Sequence, residues 1–403
     1  MPAQAGTQSG KRSPVGHWAP AFAGVTSMEE VALKLTQAEA FARIRLLRSP
    51  NIGPVSYRQL LARFGTAAAA LDALPDLAIR GRGPYRPASV ESIEREVAGV
   101  RQAGARYLFH DQPDYPALLA ELDSAPPIVT CRGRLSLASE PCVALVGARN
   151  ASGAAVKLAR DFAAALAEAG FTVVSGLARG IDGAAHEGAF PQTIGVIASG
   201  IDIAYPPQHT ALQERIATDG LLIAEQPPGT EPRGRHFPSR NRIIAGLASG
   251  TLVVEAAPQS GSLITARLAG EAGREVMAIP GSPLDARASG CNQLIREGAV
   301  LVQTPDEVVE LLQSFTGAPR SRFRVGDAAA DFDYAELAKL NWGEARADLS
   351  GDIANLLTNA PVAVDELIRQ TAATAAEVHM ALLELELAGE LVREADGAVR
   401  RAG

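Results

Sequence analysis

Four arginines, Arg149, Arg179, Arg240 and Arg242, stand near glycine and serine in segments that read as turns or helix starts. Arginine presents a planar fork of donors that matches phosphate oxygens. Glycine or serine at a helix start lets backbone N–H groups approach the same anion. The densest such stretch is 237–266, FPSRNRIIAGLASGTLVVEAAPQSGSLITA. It opens with an arginine-rich turn, Arg240-Asn241-Arg242, followed by a short helical run over 243–247. The apolar run 251–254 has the length and β-branching of a buried strand. Ser260-Gly261-Ser262 then opens a second helix. A buried strand that ends in a glycine turn and feeds a helix gathers unpaired N–H groups at one point, which suits a phosphate or a row of them.

The elements that would position these residues alternate strictly after Cys142. Strands read at 143–146, 172–174, 193–197, 221–223, 251–254, 275–279 and 299–302. Helices read at 152–169, 180–189, 208–218, 239–248, 261–273, 290–297 and 305–314. This is the α/β pattern of a Rossmann-like, mostly parallel sheet covered on both faces. Ligands of such sheets sit beyond the carboxyl ends of the strands, at a switch point. The turns at those ends are Gly147-Ala148-Arg149-Asn150, then Ser175-Gly176-Leu177-Ala178-Arg179-Gly180, Ser199-Gly200, Ser260-Gly261-Ser262 and Pro280-Gly281-Ser282. Each turn alone is weak, because loops often hold glycine for conformational reasons. Together they predict a rim where amides at Gly147, Gly176 and Gly261 donate to successive phosphates and the four arginines supply countercharge.

Three familiar sites fail on this rim. G-x-G-x-x-G is missing after the first strand, Gly-Lys-Ser/Thr is missing at the helix start, and no G-x-S-x-G occurs. Asp182 and His186 lie four apart on one helix and could be an acid/base pair. The blander reading makes Asp182 a turn cap and His186 a partly buried packing residue. Glu255 follows a buried strand and reads as structural, orienting an arginine or backbone amides. The rival from another class is a nucleotide-hydrolysing enzyme related to the nucleoside-monophosphate phosphoribohydrolases. Ser249-Gly250-Thr251 and Glu255 faintly match that signature, without its glycine pair and with different spacing.

The 403 residues are too many for one core, and the formal net charge of −7 excludes a global basic field. Basic character must be local, and arginine carries it, since lysine occurs only at 11, 34, 157 and 339. Cys131, Cys142 and Cys291 lack metal-ligand spacing and read as reduced thiols of a cytoplasmic protein. No run approaches the ~20 apolar residues of a membrane span. No cofactor is implied.

Residues 1–37 read as a disordered leader. Lys11 and Arg12 precede no apolar segment of signal-peptide type, and Met28 begins the ordered-looking sequence as a start codon would. Residues 38–80 read as a small helical domain of helix-hairpin-helix or SAM type, with the hairpin at Asn51-Ile52-Gly53-Pro54. Such a hairpin offers amides to a DNA phosphate; an ordinary packing hairpin has the same pattern. Residues 81–139 lead into the sheet, 140–314 form the Rossmann-like domain, and 315–349 are a linker opening with Arg320, Arg322 and Arg324. Residues 350–403 read as a winged helix, with three helices and a hairpin around Asp396-Gly397. Nine acidic against four basic residues there argue for a protein-binding module rather than a groove reader.

Residues 107–314 resemble the DNA-processing protein A family (DprA/Smf). The resemblance rests on Val146-Gly147-Ala148-Arg149, on SGLARGID from Ser175, on FPSRNRIIAGL from Phe237 and on SGSLITA from Ser260. The flanking domains match as well. It implies a non-catalytic, cytoplasmic, dimeric protein that binds single-stranded DNA and hands it to the recombinase RecA in natural transformation. Together, rim and resemblance select Gly147, Arg149, Ser175, Gly176, Arg179, Gly180, Arg240, Asn241, Arg242, Gln259, Ser260, Gly261, Ser262 and Arg267 as DNA-binding, with no metal. One departure stands at Gln259, where the family often carries a basic residue that contacts DNA. Arg267 is the substitute the sequence offers.

Overall fold

The computed structural model describes residues 35–78, 84–313, 349–394 and 397–402. The leader up to residue 34, the loop at Gly81-Arg82-Gly83, the arginines at 320, 322 and 324, and Asp396 lie outside the described residues.

Three helices open the described chain: α1 (Gln37–Arg48), α2 (Pro54–Phe64) and α3 (Ala67–Leu77). Thr36 caps α1 through its hydroxyl, Pro54 sits at the first position of α2, and Gly65 ends α2 at φ 74°. The sequence shows the hairpin pair but not α3, because the run Ala67 to Ala70 carries no polar–apolar period. Leu46, Ile52, Tyr57, Leu60, Leu71 and Leu74 pack between the three.

Next come α4 (Val90–Gln102), β1 (Arg106–Phe109), α5 (Ala117–Ala120) and β2 (Ile128–Gly133). The alternating core follows: β3 (Cys142–Val146), α6 (Gly153–Glu168), β4 (Thr172–Ser175), α7 (Ile181–Ala189), β5 (Thr193–Gly200), α8 (Thr210–Asp219), β6 (Leu221–Gln226) and α9 (His236–Leu247). It ends with β7 (Gly250–Val253), α10 (Gly261–Glu271), β8 (Glu275–Ala278), α11 (Ser289–Arg296), β9 (Val300–Leu301) and α12 (Pro305–Gln313). The nine strands form one sheet in the order β1-β2-β6-β5-β4-β3-β7-β8-β9. Only β1 and β2 run antiparallel to their neighbours, so the 81–139 region contributes an edge to the sheet.

Period-two alternation along β3 explains why both faces are apolar. Ala144 and Val146 face Ile243, Ile244 and Leu247 of α9 with Ala266 of α10. Val143 and Leu145 face Phe162 and Leu166 of α6 with Ile181 of α7. Fully burying a side chain such as Phe162 stabilises the fold by about 1.5–3 kcal/mol. From β3 the chain steps outward to β4, β5 and β6, then returns to the other side of β3 as β7. The switch point therefore lies between the carboxyl ends of β3 and β7.

The C-terminal segment holds α13 (Leu349–Leu356), α14 (Val364–Thr371) and α15 (Ala375–Leu387), then an antiparallel pair, β10 (Leu391–Arg393) and β11 (Val399–Arg401). Helix α15 is buried on two sides. Val378, Leu382 and Leu385 enter its own core, while Leu383 and Leu387 enter the core of the N-terminal helices. Asn51 Nδ2 donates to the Leu387 carbonyl at 3.1 Å, and Arg63 Nη1 meets Met380 Sδ at 2.7 Å. The acidic third helix thus meets a protein surface, and that surface belongs to the same chain. The N-terminal hairpin, whose amides one reading of the sequence offers to a DNA phosphate, is covered by α15 in this structure.

Candidate nucleic-acid interface

The turn after β4 is satisfied from within. Asp182 Oδ2 accepts the amides of Gly176 at 3.2 Å and Ala178 at 3.4 Å. His186 Nε2 accepts the Leu177 amide at 3.3 Å, and His209 Nδ1 bonds the Leu177 carbonyl at 2.9 Å. These bonds hold Leu177 at φ 56°, a conformation that costs a bulky residue about 1–3 kcal/mol. Ser175 Oγ donates to the Leu145 carbonyl at 2.6 Å, inside the sheet. Neither Ser175 nor the Gly176 amide is left for a phosphate, which corrects both expectations.

Arg240 explains why residue 176 is glycine. Its Nη1 donates to the carbonyls of Gly176 and, at 3.0 Å, Val196, and a Cβ on Gly176 would collide with the guanidinium. Arg240 is only 6% exposed, so it closes the floor of the site rather than reaching into solvent. Burial pushes its pKa down to about 10, with Asp182 pulling the other way. Burial also raises the Asp182 carboxyl, against the stabilising charge of Arg240 and the two amides. Desolvation dominates both members of this pair. His186 is fully enclosed and bonds Thr193 Oγ1 through Nδ1 at 2.7 Å. Burial, then the charges of His209 and Arg240, push it down to about 3. It is a positioning group for the turn, more deeply buried than the sequence suggests.

The turn after β3 is fixed by Glu255. Its carboxylate accepts Ser152 N–H at 3.0 Å and Ser152 Oγ–H at 2.7 Å, and its carbonyl accepts the Ala148 amide at 2.6 Å. The positive end of α6 therefore carries an internal anion. A side chain at Gly147 would meet Ile181 at 2.6 Å, so close loop packing demands glycine there. Arg149 and Asn150 project from this turn and are exposed. The Arg149 guanidinium lies over the Phe237 ring, 5.0 Å from its centroid, and Phe237 packs on Tyr205 at 5.9 Å.

Across the switch point, Ser260 caps α10 and its Oγ lies 2.7 Å from Ser262 Oγ. Asn241 Nδ2 donates to the Gly261 carbonyl at 3.2 Å and ties α9 to this helix start. Between the turns lies a cavity of about 580 Å³. Gly147, Arg149, Arg240, Asn241, Gln259, Ser260, Gly261 and Ser262 line it, so eight of the expected residues converge. Arg149, Arg240 and Arg287 are its basic residues and Asp182 its acidic one. With Asp182 and Arg240 buried beside one another, Arg149 and Arg287 give the mouth its positive character.

The remaining expected residues lie elsewhere. Gly176 and Arg179 border a smaller neighbouring hollow with Tyr205 and Phe237. Gly180 sits at the start of α7 with φ 75°. Arg267 is exposed on α10 and does not line the cavity. Arg242 is not at the site. It donates to the Ser124 carbonyl at 2.6 Å and to Glu225 at 2.5 Å, anchoring α9 to β6 and to the loop before β2. The arginine-rich segment is not a turn either, because residues 240–242 lie inside α9. Asn150, Thr265 and Arg287 were missed. Asn150 beside Arg149 was a signal available in the sequence. Arg287 arrives on a loop after β8 and had none. Among the described residues no His/Cys/Asp/Glu group could hold a metal, and no helix is long and apolar enough to cross a membrane.

Comparison with known proteins agrees along the chain. Residues 106–313 match the family profile described as DNA recombination-mediator protein A. Residues 37–99 match a DprA-like N-terminal HHH domain and 341–397 a DprA winged helix domain. Protein Smf of Synechocystis is 37% identical over 319 residues, covering 73% of this chain and 79% of that protein. DNA processing protein DprA of Streptococcus pneumoniae is 46% identical over 198 residues, 48% of this chain and 70% of the relative. The crystal structure of that pneumococcal protein superposes with a TM-score of 0.58 at 36% identity, over 69% of this chain and 98% of its own. With its sheet domain and both flanking domains matched, the chain belongs to the DNA recombination-mediator protein A (DprA/Smf) family of DNA-processing proteins.

Proposed function

We propose that this protein binds single-stranded DNA along the carboxyl rim of its sheet and acts without catalysing a reaction on it. The observation that carries this reading is the cavity between β3 and β7, where Arg149 and Arg287 face the start of α10. A phosphate there meets two guanidinium groups, the Ser260 and Ser262 hydroxyls and a helix N-terminus. Adjacent phosphates would run past Arg149 toward Arg179 and the Phe237–Tyr205 pair. Phosphate contacts position a strand without reading it, so sequence preference is weak.

Membership of a recombination-mediator family supports the further step, in which a cytoplasmic homodimer delivers the strand to RecA during recombination and DNA uptake. The hydrolase alternative loses support from the geometry. Of the carboxylates near the cavity, Asp182 and Glu255 are bonded to backbone amides, Asp285 is paired with Arg287, and neither Glu255 nor Asp285 lines it. Band shifts with single-stranded and duplex DNA over a series of salt concentrations test the reading. Preference for single strands with a log–log salt slope of several units supports it. Release of free base from a nucleotide, with no DNA retained, overturns it.

A further inference from the structure

The N-terminal hairpin is already covered by a carboxylate, and it comes from the chain itself. Asn51 turns the hairpin at φ 59° and Gly53 caps α2, a geometry that aims the first helical amides at one point. Glu386 of α15 stands beside it, 9% exposed, with Arg393 Nε of its own domain 3.4 Å from its Oε2. Its Oε1 is 3.7 Å from where a side chain on Gly53 would begin. Ser56 Oγ links the two, accepting the Gly53 amide at 3.3 Å and bonding the Glu386 carboxylate. The rest of the seam is incompletely satisfied. Gln59 Oε1 and Arg393 Nη2 are buried without a hydrogen-bond partner. Opening the seam returns both atoms to water, which offsets part of the cost of undocking, about 1–3 kcal/mol for each buried group left unpaired. The domain that supplies Glu386 is acidic and keeps polyanions off the surface it covers.

We propose that the C-terminal winged helix is a latch: Glu386 fills the phosphodiester site of the N-terminal hairpin, and undocking α15 exposes a second DNA-backbone site, separate from the switch-point cavity. The ligand class is duplex DNA, held through its backbone. A rigid hairpin fits phosphates at the fixed spacing of a paired helix, whereas the cavity fits a flexible strand. Release also frees Arg63, now held against Met380, to join the hairpin contact.

The test uses the full chain. Leu387→Asp charges the docked face of α15, and Gln59→Ala, which leaves Arg63 in place, loosens the seam from the α2 side should the first fail to fold. Amide hydrogen exchange over residues 51–60 reads opening, and anisotropy with a labelled duplex reads binding. Opened variants are expected to bind duplex several-fold more tightly, with a salt slope steeper by about 0.9 per phosphate gained. Adding Asn51→Asp to either variant should cancel the gain. Single-strand affinity reports the switch-point cavity and stays at the parent value, so failure of that site is seen separately. Opened chains that bind duplex no better than the parent overturn the proposal. So does a gain that survives Asn51→Asp, or hairpin exchange unchanged in every folded variant.

Discussion

Arg240 and Asp182 hold the same residue from opposite sides: Arg240 Nη1 donates to the Gly176 carbonyl, and Asp182 Oδ2 accepts the Gly176 amide. Removing Arg240 takes the countercharge from the buried Asp182 carboxylate and a donor from two buried carbonyls. Arg240→Ala is therefore expected to lower the unfolding free energy by about 3 kcal/mol or more. Arg149→Ala, at an exposed position, should stay within about 0.5 kcal/mol. Urea unfolding of the two variants checks this. Equal stabilities would show that Arg240 is not the floor of the site.

The His186 imidazole gives the fold an acid sensitivity. Its folded pKa of about 3 lies below its ordinary 6.5. The unfolded chain takes up a proton near pH 6.5 while the folded chain does not. Stability is thus complete above 6.5 and declines as pH falls toward 3, by about 1.4 kcal/mol per unit. His379, pushed down to about 4 by burial and the charge of Arg393, adds a loss of the same sign from 6.5 to 4. Asp182 acts oppositely, because its raised carboxyl takes up a proton in the folded state first. His186→Gln should flatten the decline in urea midpoint between pH 6 and pH 4 by up to one proton. A slope identical to the parent's would rule out His186 as the buried neutral group.

How much of this was legible depends on the sequence distance of the partners. The strands from β3 onward were readable because each is a short apolar run, and β3, β4 and β5 close on glycine or serine. The start of α9 was not, since Phe237-Pro238 looks like a turn. Proline is tolerated in a helix's first turn, where its missing N–H is no loss, so α9 begins at His236 instead. Arg240 and Arg242 look equivalent in sequence. They separate only when Gly176 and Val196 on one side, and Ser124 and Glu225 on the other, are brought up by the sheet. Asp182 read as a cap of this turn and is one, but nothing in the sequence says that the amide it takes is that of Gly176. The docking of Leu387 on Asn51 joins residues 336 apart, and no local pattern carries it.

Arg149 and Arg287 face the cavity from separate loops, and of the two Arg287 is the one in an ion pair, with Asp285 at 2.9 Å. Arg149→Ala should weaken single-strand binding for all sequences and lower the salt slope by about 0.7, the value for one phosphate contact. Arg287→Ala should weaken it less, because the guanidinium already shares its charge with Asp285. Band-shift titrations at three salt concentrations measure both. Unchanged slope and affinity in a folded Arg149→Ala protein would remove the strand from the cavity.

Gln259 and Arg267 offered two accounts of the missing basic residue before the Ser260 turn, and their positions separate them. Gln259 lines the cavity mouth one residue before the α10 cap, and Arg267 does not line it. A neutral amide at 259 donates a hydrogen bond about half as strong as a charged one. Gln259→Lys places an ammonium at the mouth, exposed enough for salt to screen it. It is expected to tighten single-strand binding by roughly 0.5–1 kcal/mol and to steepen the salt slope by about 0.7. Arg267→Ala should change neither quantity. The opposite pattern, with Arg267→Ala weakening binding and Gln259→Lys neutral, would move the phosphate along α10. If both are silent, the strand leaves the rim before this turn, and its path runs from Arg149 toward Arg179 and Phe237 alone.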